Sequence, residues 1–155
     1  AQKTGALIAF ERGISLRSYE ETGVPLNATF SRELLTCIFT PPLPLHDGGI
    51  TIRDGRVSAA HCVFPVSDNP DLPVSGMRHR AAIGLSVETD ALVVVVSEES
   101  GHVSIAHNGR LVRYAGDATC LPFLVRWLSK AMFRDRKVNR LLGRLQKILP
   151  KGVRS

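Results

Sequence analysis

Two short turns constrain the fold of this 155-residue chain more than any other feature. The dipeptide Asp54-Gly55 lies between residues 49–53 and 56–64, two stretches in which apolar and polar side chains alternate. Alternation on both sides of an Asp-Gly pair predicts a β-hairpin, because both turn residues tolerate a positive φ. An Asn-Gly pair predicts a second hairpin within residues 102–114. A sheet that contains hairpins cannot be purely parallel.

Helices and further strands are predicted between and before these hairpins. Residues 4–10 and the apolar run 91–96 have the character of buried strands. Ser31 is a candidate N-cap for a helix through Phe39, since apolar residues recur there at helical spacing. The other predicted helices are residues 15–21, with Ser15 as candidate N-cap, and Met77–Val87. The predicted fold class is therefore α/β, a single domain with a central mixed β-sheet flanked by helices.

The net charge of +6 is concentrated at one end of the chain. Residues 1–120 contain 10 Lys or Arg and 13 Asp or Glu, a balance of −3. Residues 121–155 contain 10 Lys or Arg and one acid, Asp135, a balance of +9. The acidic balance of the body argues against nucleic acid as a partner. We therefore expect a domain at 1–120 and a basic helical extension at 121–155, either packed on that domain or separate from it.

The extension contains apolar residues at helical spacing, surrounded by basic residues. The apolar positions are Val138, Leu141, Leu142, Leu145 and Ile148. Such an amphipathic helix either packs on the domain with a solvated basic face or attaches to an anionic membrane surface or a partner. The sequence leaves both interpretations open.

A first candidate site is the segment Leu-His-Asp-Gly-Gly at residues 45–49. His46 is a metal ligand by type, and Asp47 is a ligand or a base. Gly48 and Gly49 allow the backbone to approach a ligand closely. A tight turn built from an aspartate and two glycines explains the same residues, and on these residues alone the turn is the preferred interpretation.

A second candidate site is Arg78, His79 and Arg80, at the start of the third predicted helix. Free amide groups and the helix dipole favour an anion there, and arginines add charge-assisted donors. Two cations at a helix N-terminus are unfavourable without a compensating anion. That anion is either a phosphate or a neighbouring carboxylate.

A third candidate site, Ser97, Glu98 and Glu99, follows the apolar run 91–96. Ligands of α/β sheets collect at the carboxyl ends of strands, and two carboxylates can hold a divalent cation. A polar loop leaving a strand is the simpler explanation of this segment alone. Together, however, the three segments supply the parts of a nucleotidyl-transfer site, namely metal ligands, phosphate-binding arginines and glycines for close approach.

In this order the three segments resemble the motifs of the diadenylate cyclase (DAC domain) family, which are Asp-Gly-Ala, Arg-His-Arg and Ser-Glu-Glu. The matching stretches are residues 45–49, 78–82 and 97–99, within a resemblance that spans roughly residues 4–115. The resemblance implies the DAC-domain fold and a catalytic domain at 1–120. It implies condensation of two ATP molecules into cyclic di-AMP with release of two pyrophosphates. Each domain would hold one ATP, and activity would require a face-to-face homodimer.

The resemblance also implies a role for each matching residue and a divalent cofactor, Mn²⁺, Mg²⁺ or Co²⁺. Asp47 would lie beside the ribose 3′-hydroxyl as base, metal ligand or both. The implied metal ligands are His46, Asp47 and Glu99. The implied catalytic residues are Asp47, Gly48, Arg78, His79 and Arg80, the last three holding or orienting phosphates. The implied substrate-binding residues are Leu7, Gly49, Phe64, Met77, Ser97 and Glu98, with Leu7 and Phe64 enclosing the adenine.

Two residues depart from the family pattern. Gly49 replaces the alanine of the first motif, which predicts a looser loop, and Met77 replaces a threonine whose hydroxyl would help to hold phosphate. One lost hydrogen bond to a charged group costs roughly 1.5–3 kcal/mol, which predicts a weaker enzyme. The alternatives are a degenerate, non-catalytic nucleotide-binding or regulatory module and, with less support, a scaffold attached through its basic tail.

His46 resembles the metal-binding histidine of the membrane-type branch of the family. This likeness implies a cytoplasmic domain tethered to the membrane by a segment absent from this chain. Contact of the basic C-terminal helix with the membrane surface would fit the same arrangement. Cys37, Cys62 and Cys120 show no metal-ligand spacing, which favours buried, reduced thiols in a cytosolic setting.

Overall fold

The computed structural model describes residues 4–72 and 76–114 of the chain. The predicted basic extension at 121–155, its amphipathic helix and Cys120 lie outside the described residues. The boundary predicted at residue 120 also stays a prediction. Within the described ranges, no helix is long and apolar enough to cross a membrane.

The described chain forms seven strands and three helices in an interleaved order. They are β1 (Ala6–Phe10), α1 (Arg17–Glu20), β2 (Val24–Thr29), α2 (Arg32–Phe39), β3 (Gly49–Arg53), β4 (Arg56–Cys62), α3 (Met77–Glu88), β5 (Leu92–Val96), β6 (Val103–His107) and β7 (Arg110–Tyr114).

The seven strands form one sheet in the order β2-β4-β3-β1-β5-β6-β7. β1 and β3 run parallel, whereas every other pair of neighbours is antiparallel. The predicted mixed sheet flanked by helices is therefore confirmed. The parallel pair lies at the centre, where both of its strands are buried.

Both predicted hairpins are present, and their turns have the expected backbone geometry. Asp54 and Gly55 have φ values of 52° and 71°, and they join β3 to β4. Asn108 and Gly109 have φ values of 50° and 74°, and they join β6 to β7. Positive φ at both central residues is the two-residue turn that matches the twist of the flanking strands.

The sheet separates two apolar layers, one covered by α2 and the other by α3 and the short α1. Ile8 and Phe10 point into a layer that also contains the apolar side chains of α2. Leu7 and Ala9 point to the opposite layer, where α3 packs. α3 lies so close to residues 65–67 that a Cβ at Gly84 would overlap the carbonyl oxygen of Pro65. Close contact with residues 65–67 therefore fixes the position of the first turns of α3.

The helix predictions are confirmed at α2 and α3, and they are less accurate at α1. Ser31 caps α2, because its hydroxyl accepts a hydrogen bond from the Leu34 amide at 3.1 Å. α1 contains only four residues, and its N-cap is Leu16 and not the predicted Ser15. The reason is tertiary: the Leu16 amide donates to the Glu11 carboxylate at 2.9 Å, and the Leu16 side chain is fully buried.

Two expectations from the sequence are wrong. β2 was not predicted, because it contains Pro25, lies at the edge of the sheet and shows a register shift against β4. Cys37 is exposed on α2, whereas buried packing was expected. Cys62 is buried as expected, and burial raises the pKa of its thiol to about 12.

Candidate active site

The central strands bring the three motifs to one end of the sheet. Because β1 is parallel to β3 and antiparallel to β5, the starts of β1 and β3 lie beside the end of β5. β4 ends at the same place, with Cys62 opposite Gly49. The third motif follows the carboxyl end of β5, as the sequence argument expected, whereas β1 and β3 contribute their amino ends.

We call residues 46–49, which form one part of this region, the loop half. The Nε2 atom of His46 lies 3.4 Å from Oδ1 of Asp47, whose side chain is 72% exposed. Nδ1 of His46 lies 2.7 Å from the Leu43 carbonyl oxygen. A carbonyl oxygen only accepts, so Nδ1 of His46 donates this hydrogen bond, and Nε2 is the ring nitrogen that lies beside the Asp47 carboxylate.

The two glycines of the loop half are closely packed. Gly48 has a φ of +75°, and a Cβ there would lie 2.5 Å from the Cys62 carbonyl oxygen. A Cβ at Gly49 would overlap the Phe64 ring and lie 3.1 Å from Cγ of Leu7. The looser loop predicted from Gly49 is therefore not observed, because the Phe64 ring fills the space of the missing methyl group. Leu7 and Phe64, the predicted adenine-binding pair, are together and buried.

The helix half consists of residues 76–79 at the start of α3 and residues 97–99 after β5. Nη1 of Arg78 donates to Oε2 of Glu98 at 3.0 Å, and Nη2 donates to the His46 carbonyl oxygen at 3.4 Å. Nε of Arg78 is buried and has no hydrogen-bond partner within the described part of the chain. Arg78 thus connects all three motifs, and the anion that balances it in this structure is a carboxylate.

Gly5 makes room for this guanidinium group. A Cβ at Gly5 would lie 2.8 Å from Nη1 of Arg78 and 3.1 Å from Cβ of Glu98. The sequence analysis gave Gly5 no role. The signal was present, because a glycine just before a buried strand often marks a close approach.

His79 is half-buried behind Met77 and Arg78 at the start of α3. Burial is the main cause that lowers its pKa below the ordinary value, and the positive charge of Arg113 lowers it further. The negative charge of Glu99 acts in the opposite direction. Near pH 7, His79 is therefore mostly neutral, so one of its ring nitrogens can donate a hydrogen bond and the other can accept one.

Arg80 points elsewhere. Its Nη1 donates to the Ser67 carbonyl oxygen at 3.0 Å, and the Ser67 amide donates back to the Arg80 carbonyl oxygen at 3.1 Å. Arg80 is not among the described residues that line the neighbouring cavity. Its observed contacts hold residues 65–67 against α3, so any effect on phosphates would pass through that packing.

A cavity of about 690 Å³ opens beside the helix half. Six of the predicted site residues line it, namely Met77, Arg78, His79, Ser97, Glu98 and Glu99. The second hairpin supplies lining residues that sequence reasoning missed, namely His102, Ser104, Arg110 and Arg113. Among the described lining residues none comes from the loop half, and Arg78 is the lining residue that contacts the loop half through the His46 carbonyl oxygen.

The three predicted metal ligands do not form one cluster. Within residues 4–72 and 76–114, no group of three or more His, Cys, Asp and Glu side chains is placed to hold a metal ion. His46 and Asp47 form an adjacent pair with the ligand types that a divalent metal accepts. Glu99 belongs to the neighbourhood of His79. Of the three predicted ligands, the described residues bring two together, and substrate phosphates could supply further ones.

His61 is another residue to which the sequence analysis gave no role. Its Nδ1 lies 3.0 Å from the Asp47 carbonyl oxygen, so a residue of β4 contacts the loop half directly. No spacing rule points to this contact, because 14 residues separate the two positions.

Comparison with known proteins gives consistent matches over most of the chain. The family model described as "DisA bacterial checkpoint controller nucleotide-binding" (DAC) matches residues 1–111. Cyclic di-AMP synthase CdaA of Bacillus subtilis is 48% identical over 113 residues, which cover 72% of this chain and 41% of that protein. A diadenylate cyclase of Listeria monocytogenes is 45% identical over the same shares of the two chains.

A solved structure shows that the similarity extends to the fold. The crystal structure of a DacA double mutant from Staphylococcus aureus has a TM-score of 0.77 and 39% identity, and it covers 84% of this chain and 85% of that chain. A structure described as a hypothetical membrane spanning protein from Bacillus cereus has a TM-score of 0.69 and 44% identity, over 73% and 56% of the two chains. The matched region spans less than half the length of the first two curated relatives.

Proposed function

Since the chain belongs to the DAC family, we propose that it is a diadenylate cyclase domain that condenses two ATP molecules into cyclic di-AMP and two pyrophosphates. The observation that carries the proposal is the connection of all three motifs through Arg78. In the proposed site, Arg78 would bind phosphate, Asp47 would be the base, and the cavity would hold the rest of the triphosphate. Relatives named diadenylate cyclase or cyclic di-AMP synthase support the same assignment.

Asp47 is the proposed base. Its carboxylate is exposed enough to reach a substrate hydroxyl, and it would accept the proton of the ribose 3′-hydroxyl as the oxygen attacks the α-phosphorus. A bond forms between the 3′-oxygen and the α-phosphorus, and the bond between the α-phosphorus and the bridging oxygen breaks. Pyrophosphate leaves with those electrons. Two such steps close the ring of the product.

Arg78 would bind the phosphates after exchanging its partner. In this structure its guanidinium is paired with Glu98, whose side chain is 63% exposed. A triphosphate carries more negative charge than a carboxylate, and it can accept hydrogen bonds from two guanidinium nitrogens at once. It would therefore displace Glu98 from Arg78. His79, Ser97 and Glu99 line the cavity beside Arg78 and complete the proposed phosphate site.

A divalent cation, when held by His46 and Asp47, would neutralise triphosphate charge and help to orient the 3′-hydroxyl. A pair of imidazole and carboxylate ligands suits Mn²⁺ and Co²⁺, whereas Mg²⁺ prefers oxygen ligands and would rely on Asp47 and the phosphates. The pair of ligands alone makes a weak site, so the cation and ATP should bind together. Product formation with each of the three metals identifies the preferred one.

The reaction requires two domains, because the 3′-hydroxyl of one ATP must attack the phosphorus of another. We propose a face-to-face homodimer in which each chain holds one ATP at the end of its sheet. Pairing of the domains would then supply the in-line geometry, which is the larger part of the rate enhancement for such a transfer.

The experiment that tests this function is direct. The purified chain is incubated over a range of protein concentrations with ATP and each of the three metals, and cyclic di-AMP is measured by chromatography and mass. Product that rises more than linearly with protein concentration is expected from a domain that acts in pairs. Absence of product with every metal, in a folded protein, would overturn the proposal.

Met77 favours a second candidate function, a non-catalytic nucleotide-binding module. Met77 lines the cavity with a side chain that cannot donate a hydrogen bond, and the residue is 66% exposed. Such a module would bind ATP, measured by calorimetry, without forming product. Turnover in the concentration series would exclude it.

Attachment to a membrane is proposed for the longer protein of which this chain would be the catalytic part. The relative CdaA is more than twice as long as the matched region. The basic extension, with a charge balance of +9, would add attraction to anionic lipids. Sedimentation with vesicles should then show binding to anionic lipid that decreases with salt, and absence of binding at low salt would refute the role of the extension.

A further inference from the structure

An unusual backbone conformation lies on β4 directly beside the loop half. His61 has a φ of +57°, in the left-handed region that non-glycine residues rarely adopt. Gly49 pairs with Cys62 and Thr51 with Ala59, so β4 contains one residue more than β3 over this stretch. His61 lies in this bulge. Bulges commonly redirect a side chain near a functional site.

The bulge directs the His61 ring to the backbone of Asp47. Nδ1 of His61 lies 3.0 Å from the Asp47 carbonyl oxygen. Because a carbonyl oxygen cannot donate, Nδ1 is the donor, and the tautomer of the neutral ring is fixed with its proton on Nδ1. The hydrogen bond therefore holds the peptide group that joins Asp47 to Gly48.

This peptide group determines where the Asp47 carboxylate lies. The side chain is 72% exposed, and within the described residues its one polar contact is Nε2 of His46 at 3.4 Å. Side-chain contacts therefore restrain the Asp47 carboxylate only weakly. On the other side of the peptide, Gly48 has a φ of +75° and lies against the backbone of His61 and Cys62. The loop half is thus fixed by β4 through its backbone.

We infer that His61 is a positioning residue: its Nδ1–H donor holds the Asp47 backbone so that the carboxylate meets the substrate hydroxyl. The inference rests on the proposed function, in which Asp47 is the base. His61 touches neither the carboxylate nor the cavity lining, so its effect passes through Asp47. Loss of the donor should lower the rate of the chemical step and leave ATP binding nearly unchanged.

Two substitutions at one position separate the hydrogen bond from the backbone conformation. His61→Gly accepts the positive φ and removes the donor, so the bulge should persist. His61→Asn also tolerates the positive φ, and its Nδ2 stands where Nδ1 stands in histidine, so the donor is restored. The measurements are kcat and KM for ATP, the thermal unfolding midpoint, and the NMR chemical shift of the Gly48 amide nitrogen.

We expect His61→Gly to lower kcat about tenfold, with KM for ATP changed less than about twofold and the unfolding midpoint maintained. His61→Asn should recover most of kcat. The Gly48 nitrogen shift should change in the glycine variant and return toward the wild-type value in the asparagine variant. Equal kcat in wild type and His61→Gly, or losses that follow the unfolding midpoint in both variants, would overturn the inference.

The NMR measurement keeps this inference separate from the proposed function. If the wild-type chain makes no cyclic di-AMP, the proposed function fails and positioning for that reaction fails with it, while the Gly48 shift still reports whether His61 holds the loop. If the wild type is active and His61→Gly is equally active, only the positioning inference fails.

Discussion

The loop half and the helix half of the site differ in how their charged groups are restrained. The Asp47 carboxylate is 72% exposed, and the contacts that fix it act on the backbone. The Arg78 side chain is 21% exposed and is already paired with Glu98. Under the proposed function, the loop half would be arranged before substrate binds, whereas the helix half would exchange the Glu98 carboxylate for a phosphate. Substitutions in the two halves should consequently change different kinetic constants.

The largest effect is expected for Asp47→Asn in the loop half. Loss of the base should lower product formation about a thousandfold or more, because general base catalysis contributes factors of this order. The unfolding midpoint should hardly change, since the side chain is exposed. The matched control is Asp54→Asn in the first hairpin turn, where asparagine also tolerates the φ of 52°. An Asp47→Asn variant that keeps a tenth of the activity would refute the role of base.

Arg78→Gln should produce the second-largest effect and should act on both kcat and KM. The change removes the cation that connects the motifs, so we expect a loss of about a hundredfold in kcat/KM for ATP. Arg56→Gln at the start of β4 is a control for the loss of one positive charge. If Arg78→Gln changed kcat alone, as expected for the loop half, the two halves would not differ in the proposed way.

Met77→Thr should increase activity. A threonine hydroxyl at the cavity wall would donate one hydrogen bond to a phosphate, worth roughly tenfold in kcat/KM. Met77→Ala is the matched control, because it removes the thioether without adding a donor. An equal gain in both variants would show that the methionine obstructs the cavity and that the missing donor is unimportant.

Glu98→Gln should affect ATP binding in the opposite direction from Arg78→Gln. The variant weakens the internal pair that substrate must displace, so KM for ATP should fall about threefold, an effect in the range of an exposed ion pair. Steady-state kinetics measure the KM, and calorimetric titration with ATP tests whether the dissociation constant falls with it. A rise in KM would instead indicate that Glu98 binds substrate or metal directly.

The smallest effect concerns the titration of His79. Burial lowers the pKa of His79, so its stabilising contribution is present above the unfolded pKa near 6.5 and is lost as pH falls through the folded pKa. Histidine NMR should place this pKa below that of an exposed histidine. Pyrophosphate bound in the cavity should raise it, and an unchanged titration at saturating pyrophosphate would exclude His79 from the phosphate site.

Most of the fold could be predicted because its signals are local. The two hairpins follow from Asp-Gly and Asn-Gly pairs, and α2 follows from Ser31 and its apolar spacing. β2 could not be predicted, because Pro25 is atypical of a strand and an edge position tolerates it. The late start of α1 depends on the contact of the Leu16 amide with Glu11.

The composition of the site was predictable, but the direction of its side chains was not. The motifs identified Asp47 and Arg78, and the sheet brings both to one end. Nothing in Arg-His-Arg distinguishes Arg78, which faces Glu98, from Arg80, which faces the Ser67 carbonyl. That difference arises from the packing of α3 on residues 65–67. The contact of His61 with Asp47 likewise depends on a bulge that joins distant positions.

The position of β1 in the sheet has a consequence for synthesis of the protein on the ribosome. β1 is the first of the described strands to be made, yet both of its neighbours come later, since Ile8 pairs with Ile50 on one side and Val94 on the other. A nascent chain must keep one edge of this apolar strand from other partners until β3 has emerged, and the other edge until β5 has emerged. The three motifs can meet only then, so the proposed nucleotide site would form late in translation.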